Sequence, residues 1–319
     1  MEGLMDGNTR HRSGELKELL SAAYTRTRDG DFAGAELNLE EALRTDFEDE
    51  EVISSLKCVH FWKERFDRVD EAANDFEKGD FLLREWKAFL LFLNRVPGAV
   101  EECLYALRHC IFGAALAAYR RFAQNNDGND PELQYRIGLC LKRMGDYQNA
   151  AEYLELASAR DGENAGYLAE LADCYAFLNE VRVSKVFFRE AFYIDPQGID
   201  LQSLESLLIR RLIDEVGKKN YPPPVAQEWI PVFGVIYGVF SVKRELRPLE
   251  LGKLRQGIFS LEKRVLEEPE NDILVPRLIN RYFWLIDHYV NIRDSRPKID
   301  EVLEKIKALD QQVYELYAN

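Results

Sequence analysis

The fold is decided by two consecutive stretches, PELQYRIGLCLKRMGDYQNAAEYLELASARDGEN (131–164) and AGYLAELADCYAFLNEVRVSKVFFREAFYIDPQG (165–198). In both, apolar residues recur three and four positions apart, which is the spacing of an amphipathic helix. Gly145 and Asp146 interrupt this pattern with a turn signal, and Pro196 cannot continue a helix. Each stretch therefore predicts two antiparallel helices joined by a short turn.

The two stretches repeat each other with a period of 34 residues. The residues that carry the repeat are Gly138, Leu141, Gly145, Asp146, Tyr147, Ala150, Leu154, Ala157 and Asp161 in the first stretch and Leu171, Ala172, Tyr175, Phe188, Ala191, Asp195 and Pro196 in the second. This pattern resembles the tetratricopeptide-repeat family. In such a repeat, small residues stand where the two helices of a hairpin cross, and large apolar residues fill the space between neighbouring hairpins.

An earlier copy of the pattern lies near the N-terminus. Its residues are Gly30, Asp31, Phe32, Ala35, Leu39, Ala42 and Asp46. The first helix of this copy is expected over Gly14 to Thr27. Between the clear copies the pattern predicts two weaker hairpins, Val52–Arg65 with Val69–Lys78 and Leu82–Asn94 with Val100–Gln124.

The resemblance fades after Gly198, although helical periodicity continues. The helices expected there are Leu201–Val216, Trp229–Arg244, Leu249–Glu267, Ile273–Val290 and Ile299–Tyr317. The most apolar run, Trp229–Val242, is shorter than the roughly twenty residues that span a bilayer, so it predicts a buried helix. Gly234 and Gly238 within it are expected to permit close helix packing.

The expected fold class is all-α, a right-handed α-solenoid of stacked helical hairpins like a tetratricopeptide superhelix, divergent at its C-terminal end. The expected organisation is a flexible N-terminal tail (1–13), a repeat array (14–217) with its clearest repeats at 16–47, 131–164 and 165–198, and a region of divergent hairpins with a capping helix (218–319).

The last expected helix carries an apolar seam at alternating steps of three and four residues, formed by Ile299, Val302, Ile306, Leu309, Val313 and Leu316. Such a seam fits a homo-oligomer formed through this helix. Leu303 and Tyr317 widen the stripe, which favours instead a helix that caps the open end of the solenoid.

In the family that the chain resembles, the first helices line a concave surface that holds a partner protein or peptide. Carried onto this sequence, the partner-binding groove consists of Glu132, Tyr135, Arg136, Leu139, Lys142, Arg143, Glu170, Asp173 and Phe177. Aromatic and arginine side chains suit such a surface, but a solvated helix face is the competing interpretation. Tyr135 and Leu139 stand where chaperone-tail adaptors of the family place Lys and Asn, so that function is not favoured.

Composition excludes several classes of partner. The formal net charge is -14, whereas nucleic-acid binding needs a clustered excess of Lys and Arg. No stretch is apolar enough for direct membrane insertion. The five cysteines are irregularly spaced and do not predict a disulfide framework, which favours a cytoplasmic protein.

No pattern of catalytic, metal-binding or cofactor-binding residues is present. Cys140 and Cys174 are one repeat period apart, so they predict equivalent internal positions rather than metal ligands. Glycine-rich phosphate-binding loops are missing, and the four histidines have no recognisable nucleophile beside them. The sequence therefore predicts a protein that is not an enzyme and needs no cofactor and no metal.

Three functions remain to be compared. The first is a non-enzymatic scaffold or adaptor that docks a partner protein in the groove. The alternative is a chaperone-like or regulatory module that binds segments of client proteins transiently. The third, an enzyme with its site within Trp229–Val290, would need a deep pocket that contains titratable groups.

Overall fold

A computed structural model of the chain describes residues 2–96, 98–242, 245–293 and 296–318, with side chains described from Gly14 onward. Every regular element in these residues is a helix, and neighbouring helices pack as hairpins. The expected all-α fold of stacked hairpins is thereby confirmed. The chain divides into two compact units, Met1–Ala150 (unit 1) and Ala151–Asn319 (unit 2).

Several helices of unit 1 begin next to a short polar side chain that caps them. Its helices are α1 (Glu2–Arg28), α2 (Phe32–Thr45), α3 (Glu50–Phe66), α4 (Asp75–Leu93), α5 (Glu101–Asn125) and α6 (Pro131–Arg143), and α7 (Tyr147–Arg160) contains the boundary with unit 2. Asp31, Asp49 and Asp130 cap α2, α3 and α6, each accepting a hydrogen bond of 2.8–3.0 Å from the backbone N–H three residues on. These caps satisfy donors that the helix leaves unpaired and so fix where each helix starts.

The turns within the three clear repeat copies are built alike. Gly30, Gly145 and Asn179 have φ of 83°, 86° and 63°. In each turn this residue's N–H bonds the carbonyl three positions back and the next N–H bonds the carbonyl five positions back, at 2.9–3.2 Å. This is the Schellman arrangement that ends a helix. The three copies can therefore be compared position by position, counted from these turn residues.

The second hairpin expected from the sequence is not formed. A 3₁₀ turn, Asp67–Glu71, follows α3 in place of the helix expected at 69–78. Asn74 then accepts a hydrogen bond of 2.9 Å from the N–H of Glu77 and starts α4 earlier than expected. Pro97, which precedes α5 in the sequence, lies outside the described residues.

The N-terminal helix is longer than expected, since α1 begins at Glu2 rather than near Gly14. The flexibility of the tail (1–13) stays a prediction.

Aromatic side chains hold α3, α4 and α5 together in the core of unit 1. The ring centroids of Trp62 and Trp86 are 5.9 Å apart, and those of Trp86 and Phe112 are 5.0 Å apart. All three side chains are buried, as is Phe89 beside them. Large aromatic surfaces contribute much of the burial energy of a core, so these rings hold α3, α4 and α5 in place relative to one another.

Beyond the end of α7, unit 2 contains eight helices in its described residues. They are α8 (Ala165–Phe177), α9 (Val181–Ile194), α10 (Leu207–Gly217), α11 (Val225–Ile236), α12 (Pro248–Glu267), α13 (Leu274–Asn291), α14 (Arg296–Leu309) and α15 (Gln311–Ala318). A 3₁₀ turn at Pro196–Gly198 ends the α8–α9 hairpin, as the proline predicted. The expected bounds of α12 and α13 are confirmed to within one residue.

Two helices of unit 2 are shorter than the sequence predicted. α10 begins at Leu207 instead of Leu201, and α11 ends at Ile236. Beyond α11, Gly238 has φ of 70° and the chain folds back, so that the Phe240 ring would meet a Cβ on Gly234 at 2.4 Å. Gly234 is thus adjacent to this ring within the same segment. Arg244, the expected end of α11, lies outside the described residues.

Across the described residues, no helix combines the length and the apolar character that crossing a bilayer requires.

The C-terminal helix expected at 299–317 is broken in two. Asp310 accepts a hydrogen bond of 2.9 Å from the N–H of Val313 and so caps a new helix, α15. Val302, Ile306 and Val313, three residues of the apolar seam, are buried in the core of unit 2. This packing favours the capping interpretation, and a homo-oligomer through this helix stays a prediction.

Candidate functional site

The predicted groove residues on α6 differ widely in exposure. Lys142 and Arg143 are only 1% and 9% exposed, although the sequence suggested an open positive pair. Tyr135 and Leu139 are half-buried. A charged side chain that is buried is not available to a partner, so this burial does not favour Lys142 and Arg143 as binding residues.

Arg136 on α6 is bound within unit 1. Its Nε lies 3.2 Å from Oδ1 of Asp80, and its Nη2 lies 2.9 Å from Oε1 of Glu132. The Tyr119 hydroxyl donates to the same Asp80 oxygen at 2.6 Å. Burial, reinforced by this carboxylate, raises the pKa of Tyr119. These contacts tie α6 to α4 and α5, which is a structural role.

The predicted groove residues on α8 also differ in exposure. Glu170 and Asp173 are 2% and 0% exposed, whereas Phe177 is exposed. The Asp173 carboxylate accepts hydrogen bonds of 2.8 and 2.9 Å from the backbone N–H groups of Glu205 and Ser206, at the start of α10. The Ser203 hydroxyl donates to Glu170. In unit 2, this face of α8 is therefore covered by the chain itself.

The nine residues stay a predicted binding surface. The burial of Lys142, Arg143, Glu170 and Asp173 is the feature that sequence reasoning missed.

A large cavity opens elsewhere in unit 1, with a volume of about 680 Å³. The residues around it come from α1, α3 and α5: Lys17, Leu20, Ser21, Tyr24, Thr25, Arg28, Glu51, Glu101, Glu102, Tyr105 and Ala106. We call this cavity the α1 groove. The α1 residues recur at steps of three and four, so they form one face of that helix.

The repeat register connects this groove with the sequence prediction. Counted back from the turn residue, the predicted α6 positions Glu132, Tyr135, Arg136, Leu139 and Arg143 correspond to Lys17, Leu20, Ser21, Tyr24 and Arg28 of α1. All five of these α1 residues line the α1 groove. The signal that finds them is present in the sequence, as the spacing between Gly30 and its own first helix.

The floor of the α1 groove is apolar and fixed. Leu20 and Ala106 are buried there. The Tyr24 hydroxyl donates to Oε1 of Glu51 at 2.8 Å and lies 2.9 Å from Oγ of Ser55. Burial raises the pKa of Tyr24, so the phenol stays neutral and holds α1 against α3.

The rim of the α1 groove is polar and open to solvent. Tyr105 of α5 is 58% exposed, and Glu101 and Glu102 beside it are exposed as well. Lys17 and Arg28 are exposed on the α1 side. An apolar floor with a charged rim and an exposed aromatic side chain suits the binding of another chain.

A second cavity, of about 410 Å³, lies in unit 2 between the end of α9 and α13. Its Arg277 donates from Nε to Oε2 of Glu228 at 3.0 Å, and Glu228 is fully buried. Gln197 donates to the same carboxylate at 2.8 Å. Because Arg277 neutralises a buried charge, its first role is structural.

The described side chains include no group of three or more His, Cys, Asp and Glu residues that could hold a metal ion.

A comparison with known proteins supports the repeat that the sequence predicts at residues 131–164. Residues 131–164, which comprise α6, the turn at Gly145 and α7, match the family model described as tetratricopeptide repeat. None of the curated proteins matches the chain. Repeats of this kind serve protein–protein interaction. Residues 131–164 of the chain therefore contain a tetratricopeptide repeat.

Proposed function

We propose that this protein is a non-enzymatic, cytoplasmic scaffold or adaptor that docks an extended segment of a partner protein in the α1 groove. The observation that carries the proposal is the groove itself. The groove-facing positions of the first repeat line it, and its floor is apolar. The sequence placed the docking surface on α6 and α8; we move it to the equivalent face of α1.

The dimensions of the α1 groove suit a peptide segment. Its α1 wall extends from Lys17 to Arg28, which is about 16 Å at 1.5 Å per residue. An extended chain covers that length with about five residues. Leu20, Ala106 and Tyr105 provide apolar and aromatic contact for one or two anchoring side chains, the arrangement that dominates binding energy in such surfaces.

Affinity capture from the cells that make the protein tests this proposal. Ser21→Trp places a bulky ring in the α1 groove at an exposed position. Ala33→Trp, on α2 and also exposed, is the matched control because it does not line the groove. Circular dichroism establishes that both variants keep their helices.

A scaffold predicts one partner that is captured in fixed proportion by the wild type and by Ala33→Trp, and lost with Ser21→Trp. A partner that Ser21→Trp also retains would place the docking surface elsewhere. Several partners captured weakly, each lost with Ser21→Trp, would favour the chaperone-like alternative. Capture of no protein at all would contradict the proposal.

A further inference from the structure

We infer that the segment bound in the α1 groove is basic, with Lys or Arg side chains next to an apolar or aromatic one. This inference rests on the proposed function and names the chemistry of its partner.

The α5 wall of the groove is acidic and aromatic on one helix face. Glu101 and Glu102 stand in the first turn of α5, and Tyr105 follows four and three positions later. Residues at these spacings lie on the same side of a helix. All three are exposed and line the groove.

The start of α3 adds further negative charge beside this wall. The Ser54 hydroxyl donates to the Gly98 carbonyl at 2.9 Å, which brings the first turn of α3 against the segment that leads into α5. Glu51 lines the groove from α3, and Glu50 lies close to Gly98. Carboxylates from two helices therefore surround one side of the groove.

None of these carboxylates forms an ion pair with a described side chain of the protein. Tyr24 donates a hydrogen bond to Glu51, but no Lys or Arg with a described side chain forms an ion pair with Glu51, Glu101 or Glu102. Carboxylates that lie together without an ion-paired Lys or Arg attract a cationic partner and repel an anionic one.

The positive residues of the opposite wall leave room for such a partner. Lys17 and Arg28 stand at the two ends of the α1 stripe, about 16 Å apart along the helix. Between them the wall is neutral, with Ser21, Tyr24 and Thr25. A cationic side chain at the middle of the groove would thus meet acidic groups on α5 and α3 and neutral groups on α1.

Tyr105 adds a contact that favours a cation over a neutral polar group. An exposed aromatic face attracts Arg and Lys through its quadrupole, with Arg the commoner partner. With Glu101 one turn before it, Tyr105 can stack on a guanidinium whose charge the carboxylate neutralises. The apolar floor at Leu20 and Ala106 accepts the neighbouring apolar side chain.

Selection from a random dodecapeptide library displayed on phage, against the full chain, tests the inference. We expect enriched peptides with an excess of Lys and Arg beside aromatic or aliphatic residues. The double variant Glu101→Lys with Glu102→Lys should weaken binding of a fluorescein-labelled enriched peptide about tenfold, by fluorescence anisotropy. Glu40→Lys with Glu41→Lys is the matched control, an adjacent exposed glutamate pair on α2 outside the groove, and should change affinity less than about twofold.

The outcomes separate the two proposals. Enriched peptides without a positive excess, whose binding Ser21→Trp blocks, would overturn the basic partner and leave the docking function standing. Basic peptides that bind equally well to both double variants would also overturn the inference, because the charge would act over the whole molecule. If no peptide is enriched with wild-type protein, the docking function and the basic partner both fail.

Discussion

The first helices α1 and α8 occupy the same place in two repeat copies, yet their inner faces have opposite fates. Counted back from the turn residues, Ser21 and Tyr24 of α1 correspond to Glu170 and Asp173 of α8. The α1 pair lines an open groove of about 680 Å³. The α8 pair is buried and hydrogen-bonded to residues 203–206 of its own chain.

The difference shows that repeat register fixes which positions face inward but not what covers them. In unit 2, the buried charges of Asp173 and Arg189 are bound by partners from the same unit. In unit 1, the pair of Arg121 with Asp75 lies instead at the surface, with side chains 54% and 28% exposed. Removing one partner of a buried contact in unit 2 is therefore expected to cost much stability, and removing one partner of an exposed pair in unit 1 is expected to cost little.

The largest effect is expected from Asp287→Ala in unit 2. Arg189 and Asp287 form an ion pair whose side chains are 5% and 7% exposed, and Arg189 also donates to the Val242 carbonyl at 3.1 Å. Removing the carboxylate leaves a buried guanidinium uncompensated, which costs about 4 kcal/mol of the free energy of unfolding. Urea unfolding followed by circular dichroism measures the loss.

The control for this prediction removes both charges. Arg189→Met together with Asp287→Leu leaves no buried charge and should lose less stability than Asp287→Ala alone. If the double variant is less stable than Asp287→Ala, the ion pair contributes net stability, and the loss in Asp287→Ala does not come from an uncompensated buried charge.

A smaller loss is expected from Asp173→Ala, which tests the covered face of α8 directly. The backbone N–H groups of Glu205 and Ser206 would lose their acceptor, and we expect a loss of about 3 kcal/mol. Tyr24→Phe at the equivalent position of α1 removes one hydroxyl from a half-buried site and should cost about 1 kcal/mol.

Hydrogen exchange locates both effects. With Asp173→Ala, faster exchange should concentrate in α8 and in residues 203–217 of unit 2. Equal losses in the free energy of unfolding from Asp173→Ala and Tyr24→Phe would mean that the covered face of α8 contributes no more to stability than the open face of α1.

Sequence periodicity predicted long helices well and interruptions poorly. α12 and α13 were predicted to within one residue because their apolar stripes are long and regular. The helix predicted at 69–78 is not formed, because Asn74 caps a new helix inside that range. The helix predicted at 299–317 is divided in two, because Asp310 caps a new helix in the same way. A single polar side chain decides such a break, and it leaves the apolar period unchanged.

The candidate site shows a similar limit. The spacing back from Gly30 could have identified the α1 positions, since the α6 positions that the family resemblance implies stand at the same distances before Gly145. That Asp173 accepts hydrogen bonds from Glu205 and Ser206 could not be predicted, because those partners are 32 and 33 positions away. Contacts over such distances depend on tertiary packing, which a local pattern does not contain.

Gly234→Ala tests another place where unit 2 folds onto itself. The added Cβ would lie 2.4 Å from the ring of Phe240, which is almost fully buried, so the ring must move. We expect a loss of about 2 kcal/mol in the free energy of unfolding. Gly252→Ala on α12, with nothing within 4 Å of its Cβ, is the control and should gain up to about 1 kcal/mol from helix propensity. A neutral Gly234→Ala would show that Phe240 repacks freely.

The smallest effect is expected from Glu36→Gln, which removes a surface charge of unit 1. The hydrogen bond from Lys63, aided by His60, lowers the pKa of Glu36 below its ordinary value of 4.5. A carboxyl whose pKa is lower in the folded state stabilises the fold above pH 4.5 and loses that contribution as the pH falls through the folded pKa. Because Lys63 and His60 are 39% and 64% exposed, solvent screening keeps the contribution below about 1 kcal/mol.

Urea unfolding at pH 7 should thus give a slightly higher free energy of unfolding for the wild type than for Glu36→Gln. The two values should converge once the pH falls below the pKa of Glu36 in the folded protein. A loss at pH 7 as large as that of Asp287→Ala would mean that unit 1 depends on paired charge as much as unit 2 does.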